Sequence, residues 1–280
     1  EIGWPGCVLY QSKDDGMNYD YADERASDSN SGKTYSILGH ANPDYFDYKN
    51  KLIVKLNSKI DTQLETVSEA ELFSGKNIAV VGNEIIQFKS AVLNADGTYT
   101  LRILLRGAFG TEDKITNHTL GERFILFDGS LMSKKVENYE IGIPMKYKVA
   151  AFGKNLADVE VNTFTSNAKN LRPLAPVYIS GKRNLESDLI ITWKRRARGY
   201  SGWRDYVDLP LIEKIELYEV EILDESNNVI RTINSLTSAT YTYTSDQQIM
   251  DFGSVQLNVK VRIYQISDVV GRGNSKISVL

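Results

Sequence analysis

The alternation of apolar and polar positions along the chain predicts short β-strands separated by turn residues. In the first part of the chain these runs are Lys51–Leu56, Asn77–Val81, Glu84–Phe88, Tyr99–Leu105 and Glu122–Phe127. Turn chemistry stands between them at Ser74-Gly75-Lys76-Asn77, Gly82-Asn83 and Asn94-Ala95-Asp96-Gly97. Ala91–Leu93, the Asn94–Gly97 loop and the Thr98–Leu105 run read as a β-hairpin. Pairing Glu84–Phe88 with Tyr99–Leu105 puts Ile86 and Phe88 on one face. Helical signal is weak. Ser68-Glu69-Ala70-Glu71 fits a capping box, which predicts one or two turns with Ala70, Leu72 and Phe73 as the apolar face.

A second strand-rich unit begins near Leu171-Arg172-Pro173-Leu174-Ala175-Pro176, where two prolines stiffen the chain as they do at many domain boundaries. Its strands are predicted at Val177–Ile179, Leu189–Lys194, Ile215–Leu223, Val229–Ile233, Thr240–Tyr243, Val255–Gln265 and Lys276–Leu280. Short alternating strands in this number indicate a β-sandwich. In the clearest of them Val255, Leu257, Val259, Val261 and Ile263 share one face. Ile215–Leu223 is ambiguous: Ile215, Leu217 and Leu223 lie on one side, and Tyr218, Val220 and Ile222 on the other. The fold class is therefore all-β, with a barrel- or sandwich-like domain over 1–170 and a sandwich over 171–280.

Composition narrows the chemistry. One cysteine, Cys7, excludes an internal disulfide framework and a cysteine-based zinc site, and two histidines, His40 and His118, leave little room for histidine chemistry. The net charge of −3 divides into −4 over residues 1–171 (19 basic, 23 acidic) and +1 over 172–280 (14 basic, 13 acidic). Neither part has the basic balance of a nucleic-acid binder. No apolar run approaches the roughly 20 residues that span a bilayer. The first residues have no basic region followed by an apolar one, so they do not read as a signal peptide. A start at Glu1 rather than Met suggests a piece of something longer.

The second unit resembles fibronectin type III modules. Leu189-Ile190-Ile191-Thr192-Trp193 is similar to their second strand with its core Trp, and Tyr218-Glu219-Val220-Glu221-Ile222 to the third. Val259–Ile266 followed by Gly271-Arg272-Gly273-Asn274-Ser275 is similar to the last hairpin. The tyrosine usual on the penultimate strand is absent, Leu257 or Val259 standing in its place. Longer stretches resemble the C-terminal region of the large, host-specificity-like tail hub proteins of gene transfer agents and siphovirus-like phages. These are Trp4–Tyr10 with Ser12 and Asp15-Gly16; Asn83–Phe88; Tyr99–Leu105; Arg106–Glu112; His118; Gly121–Phe124; Leu171–Pro176; and Ile191–Arg196 with Trp203, Asp208, Pro210 and Leu211. The resemblance covers residues 4 to 274 through the order and spacing of these stretches. It implies a virion part, made in the bacterial cytoplasm, that joins other tail or baseplate proteins as a homo-oligomer, a trimer among the options. It also implies contact with a host-surface glycan or receptor; no cofactor is expected, and charge balance and the lack of a long apolar run add the expectation of no nucleic acid and no membrane insertion.

Several segments invite a site. Residues 1–47 carry nine acids against three bases; Asp14, Asp15, Asp20, Asp23 and Glu24 could pair for glycoside hydrolysis or hold Ca2+, but their spacing fits no EF-hand and a solvated loop is the plainer expectation. His118, near Glu112, Asp113 and Glu122, is expected to be a loop histidine bonded to backbone. Arg106-Gly107-Ala108-Phe109-Gly110-Thr111 lacks the lysine and helix of a phosphate loop and is expected to form a tight turn with Phe109 packed beneath it. The segment 194–208 interleaves cations with aromatics. Arg196, Arg198, Tyr200, Trp203 and Arg204 are its ligand- or partner-binding candidates, set against an internal role in which the arginines stack on Trp203 and pair with Asp205, Asp208 and Glu213. The sequence thus points to a structural, non-catalytic tail component, with a carbohydrate-binding module and an envelope-glycan hydrolase as alternatives from other classes.

Overall fold

The computed structural model describes residues 5–26, 28–57, 63–198 and 211–280, and it divides into two compact units, Glu1–Lys169 and Asn170–Leu280. Among its described residues the first unit has ten strands and one α-helix, besides short 3-10 turns: β1 Cys7–Ser12, β2 Asp20–Arg25, β3 Ser31–Thr34, β4 Leu52–Leu56, α1 Glu69–Phe73, β5 Ile78–Val81, β6 Glu84–Leu93, β7 Tyr99–Leu105, β8 Arg123–Leu126, β9 Pro144–Ala151 and β10 Asn162–Thr165. Six of these close into an antiparallel barrel in the order β3-β4-β7-β6-β5-β8, and the rest form a four-stranded sheet, β10-β9-β1-β2. Closure removes exposed sheet edges, and a small barrel fills its interior with side chains. That interior holds Leu52, Val54, Ala79, Val81, Ile86, Phe88, Leu101, Leu104 and Phe124.

The hairpin forms as the alternation predicts, with Phe88 opposite Leu104 and Leu93 opposite Tyr99, although β6 runs unbroken through Ala91–Leu93. One local feature sets the site that follows. Ile103 has φ +56, a costly conformation for a β-branched residue. Before it, Tyr99 and Leu101 face the interior; after it, Leu104 and Arg106 do. The left-handed residue shifts the phase of alternation by one, and Arg106 turns inward.

Three expectations need correction here. Asp20–Arg25 is a strand and not a solvated loop: its backbone pairs with β1 from Cys7↔Arg25 to Gln11↔Asp20, which polar side chains permit on a sheet face open to water. Helix α1 has its capping box, with Ser68 and Glu71 bonded reciprocally, but buries only Leu72. Phe73 is 40% exposed, because five residues offer one inward position and little more. Phe109 is 52% exposed: its φ of +54 swings the ring outward, and Ile115, 3% exposed, is the apolar side chain buried in that segment.

Among its described residues the second unit has seven strands and one α-helix: β11 Val177–Arg183, β12 Leu189–Lys194, β13 Tyr218–Leu223, β14 Val229–Leu236, β15 Thr240–Tyr243, α2 Ser245–Phe252, β16 Lys260–Ser267 and β17 Gly271–Val279. One sheet has the order β11-β12-β15 and the other β14-β13-β16-β17. This places the first, second and fifth strands against the fourth, third, sixth and seventh, which is a fibronectin III-like sandwich. Trp193, Ile191, Leu189 and Tyr243 from one sheet meet Tyr218, Val220, Ile222, Val261 and Ile263 from the other, and Trp193 stands edge-on to Tyr218 at 5.2 Å. The ambiguous strand β13 therefore turns Tyr218, Val220 and Ile222 inward. Glu221 lies opposite Arg262 and pairs with it at 2.9 Å, and with Arg272 at 2.9 Å.

The alternation read from Val255 fails upstream of Val259. Val255 is 38% and Leu257 93% exposed, whereas Val259, Val261 and Ile263 are buried. The ladder begins at Lys260, and helix α2, ended by Gly253 at φ +79, consumes the approach to it. That helix was not expected. Its signal is Thr244-Ser245-Asp246-Gln247, a capping box whose two reciprocal bonds both form.

Candidate functional site

Among the described residues, a group of buried ionisable side chains gathers where the barrel strands β6 and β7 meet the loops before β4 and β8. Glu84 opens β6 on the face of Ile86 and Phe88, so period-2 alternation carries its carboxylate into the interior. Arg106, turned inward past Ile103, meets it with two parallel bonds, Nε to Oε1 and Nη2 to Oε2, both 2.9 Å. Its Nη1 donates to Asp47 Oδ2 at 3.0 Å and to the Gly39 carbonyl at 2.9 Å, and Nη2 also donates to the Ile115 carbonyl at 3.3 Å. All five guanidinium protons are thus used. The Arg106 and Glu84 side chains are 0% exposed and Asp47 is 2%.

The network extends through His118. Its Nε2 lies 2.7 Å from Glu84 Oε2 and its Nδ1 2.7 Å from Glu122 Oε2. The expected backbone partner is replaced by two carboxylates. Glu122 was near in sequence; Glu84 arrives through the fold, while Glu112 and Asp113 belong to a short 3-10 turn, and Asp113 pairs with Lys114 and Lys169. Burial pushes the Glu84 carboxyl up, but His118, Arg106 and the Gly107 N–H together hold it below the ordinary value. Asp47 behaves alike: burial raises it, and the Asn50 and Arg106 bonds lower it further. The Glu84 bond raises His118, burial opposes, and Glu122 adds to the rise.

Chemically this arrangement is a tie. Gly107, at φ +65, donates its N–H to Glu84 Oε1 at 2.7 Å, so Glu84 accepts from three groups and presents no free oxygen to a substrate. The tie joins the loop before β4, the start of β6, the end of β7 and the loop before β8.

The acidic N-terminal stretch makes a different structure. Asp14 accepts from Asn18 N and Nδ2 and from Ser12 Oγ, which holds its carboxyl down at about 2. Asp15 pairs with Lys146, and Asp23 accepts from Ser133 N and pairs with Arg25. No cluster of three His, Cys, Asp or Glu side chains that could hold a metal occurs among the described residues.

Of the basic-aromatic candidates, Arg196 and Arg198 line a small cavity of about 10 Å3 with Glu213 and Gln265, enough for one water. Arg198 pairs with Glu213, as the internal role anticipated, and donates to the Asn170 carbonyl at 3.3 Å. Tyr200, Trp203, Arg204, Asp205 and Asp208 lie outside the described residues.

The family model described as Rcc01698-like, C-terminal, matches residues 29–125, the segment from the start of β3 almost to the end of β8. That span includes Asp47, Glu84, Arg106, His118 and Glu122. No curated protein matches. Among solved structures, the chicken CNTN1 FN1–FN3 domains are 10% identical, covering 98% of this chain and 89% of that one at a TM-score of 0.27. A two-domain fibronectin type III segment of chicken tenascin is 8% identical, covering 89% and 98% at 0.27. Domains d3–d4 of the rat CD45 extracellular region are 13% identical, covering 55% and 71% at 0.27.

Proposed function

We propose that this chain is a structural, non-catalytic component of a phage-type tail tip or baseplate hub, one that joins other tail proteins and contributes to host-surface contact. The observation that supports it most is the Rcc01698-like, C-terminal family match, which spans the closed barrel and is compatible with a gene-transfer-agent-related structural protein. The chemistry of the barrel agrees with a load-transmitting part. Its ionic groups are spent on one another, and a saturated buried network fixes geometry where a catalytic site would leave a group aimed at substrate. In this reading the protein is made in the bacterial cytoplasm, assembles into the tail as a homo-oligomer with other baseplate proteins, and works without a cofactor.

Particles released by producing cells and purified by density gradient test this directly. Peptides from both units should be recovered from intact particles by mass spectrometry, and purified protein should release no product from peptidoglycan or capsule. Recovery only in the soluble fraction, or turnover on either polymer, contradicts the proposal.

A further inference from the structure

Positive charge gathers on one outer wall of the barrel. Leu52 and Val54 face the interior, so Lys51 and Lys55 face water, and on the neighbouring strands Lys33, Arg102 and Arg123 are exposed as well. Lys33 stands directly opposite Lys55 on one side and Arg123 on the other. Like charges opposed across a ladder are destabilising. Strands β3, β4, β7 and β8 contain no carboxylate to relieve them. Asp96, in the β6–β7 turn, feels Lys55 but bonds Thr98, and Glu122, next to Arg123, bonds His118. Among the described residues none of the five cations joins an ion pair, whereas Lys76, Lys89, Lys134 and Lys146 of the same unit each hold a carboxylate.

The same wall ends in exposed apolar side chains. Strands β3 and β7 both run antiparallel to β4, so the loops that follow them leave the barrel at one end. There Thr34 N donates to the Glu122 carbonyl at 2.9 Å and Gly121 N to the Thr34 carbonyl at 3.0 Å, which carries Leu120 toward Tyr35. Tyr35 is 55%, Ile37 62% and Leu120 65% exposed. Arg106 lies beneath both loops and binds the Gly39 and Ile115 carbonyls, so the loops are held in place before any partner arrives.

We propose that this wall and its apolar end dock on an anionic lipid surface as a peripheral contact. Cations are drawn to an anionic leaflet, tyrosine settles at the headgroup level, and aliphatic tips enter the boundary below it. Charge and apolar area together supply the two signals that stable anchoring takes. The outward charges keep the wall itself out of the hydrocarbon, so the contact stays among the headgroups. Other polyanions fit less of the surface. A nucleic acid strand needs several rings to stack its bases, and the wall offers Tyr35. An acidic polysaccharide would use the cations and leave Ile37 and Leu120 in water. The wall belongs to the barrel alone, so this assignment holds or fails independently of the tail reading.

The test sediments the full chain with vesicles of phosphatidylcholine and, separately, of equimolar phosphatidylcholine and phosphatidylglycerol. The anionic vesicles should bind about tenfold more tightly or better, and molar salt should release most of the protein. Lys33→Gln with Lys55→Gln should weaken anionic binding about thirtyfold. Its unfolding temperature should hold or rise, because the opposed charges are gone. Ile37→Ser with Leu120→Ser should weaken binding about tenfold. The proposal is overturned if millimolar anionic lipid retains no protein, if the two vesicles bind alike, or if salt has no effect. It is also overturned if either double variant binds as wild type, or if oligothymidylate or polygalacturonate binds more tightly than the anionic lipid.

Discussion

Arg106 and Glu84 stand 22 residues apart in sequence and form a fork-to-fork pair with both bonds at 2.9 Å and both side chains fully buried. Taking two charges out of water is expensive, and an arrangement of this kind stands only because each remaining proton and lone pair has a partner. Removing one side of it leaves the other buried and uncompensated. Glu84→Gln is therefore expected to lower unfolding stability by about 3–5 kcal/mol. Arg106→Met should cost at least as much, since it strips Asp47 as well. Urea unfolding followed by barrel tyrosine fluorescence checks both; a loss below about 1 kcal/mol would mean that the pair is solvated.

The same network predicts a stability optimum in weak acid. His118 is raised above 6.5 in the folded state, so its contribution is full below 6.5 and is lost as pH climbs through the folded value. Glu84 and Asp47 are lowered from 4.5 and 3.8, so theirs are full above those values and are lost as pH falls through the depressed ones. The melting temperature of the barrel should peak between those limits, and His118→Gln should flatten its alkaline side. An unchanged alkaline side in the variant would show that His118 is uncharged in the fold.

Gly107 gives a sharper geometric test. A Cβ there would stand 2.7 Å from Glu112 Cα and 3.0 Å from Ile115 Cδ1, at φ +65. Gly97, at φ +78, has nothing within 4 Å. Gly97→Ala should cost the left-handed penalty alone, about 1–2 kcal/mol, and Gly107→Ala clearly more, because backbone must move. Equal losses in thermal unfolding would contradict the close packing around Gly107.

In the sandwich, Thr244 caps α2 by accepting from Gln247 N at 3.2 Å. Thr244→Ala is expected to cost about 1 kcal/mol. Asp251, on the same helix, accepts both Arg231 bonds at 2.6 and 2.7 Å and the Tyr243 hydroxyl at 2.7 Å, tying α2 to β14 and β15. Amide exchange should show α2 opening before the strands in the Thr244 variant; simultaneous loss of strand protection would make the helix part of the core unit.

Strands β4, β5, β6, β7 and β8 and, in whole or in part, the seven of the sandwich were legible from their apolar runs; β13 left its inward face ambiguous, and only the start of β11 and the end of β17 were anticipated. Strands β2 and β9 do not, because sequences such as Asp-Tyr-Ala-Asp-Glu-Arg sit on a sheet with much of each face in water. The run from Val255 misled because alternation persists beyond the ladder that gives it meaning. Glu84 could have been flagged, since it shares the phase of Ile86 and Phe88. Its partners could not: Asp47, Arg106 and His118 converge from separate turns, and Arg106 faces inward only because Ile103 breaks the alternation of β7.

The central claim, that this chain is a structural part of a phage-type tail, is tested most directly by immunogold electron microscopy of purified particles with an antibody raised against residues 170–280. The account predicts gold at the tail end distal to the head, and loss or malformation of that end when the coding sequence is deleted. Gold confined to heads or free debris, with intact tails in the deletion strain, would contradict it.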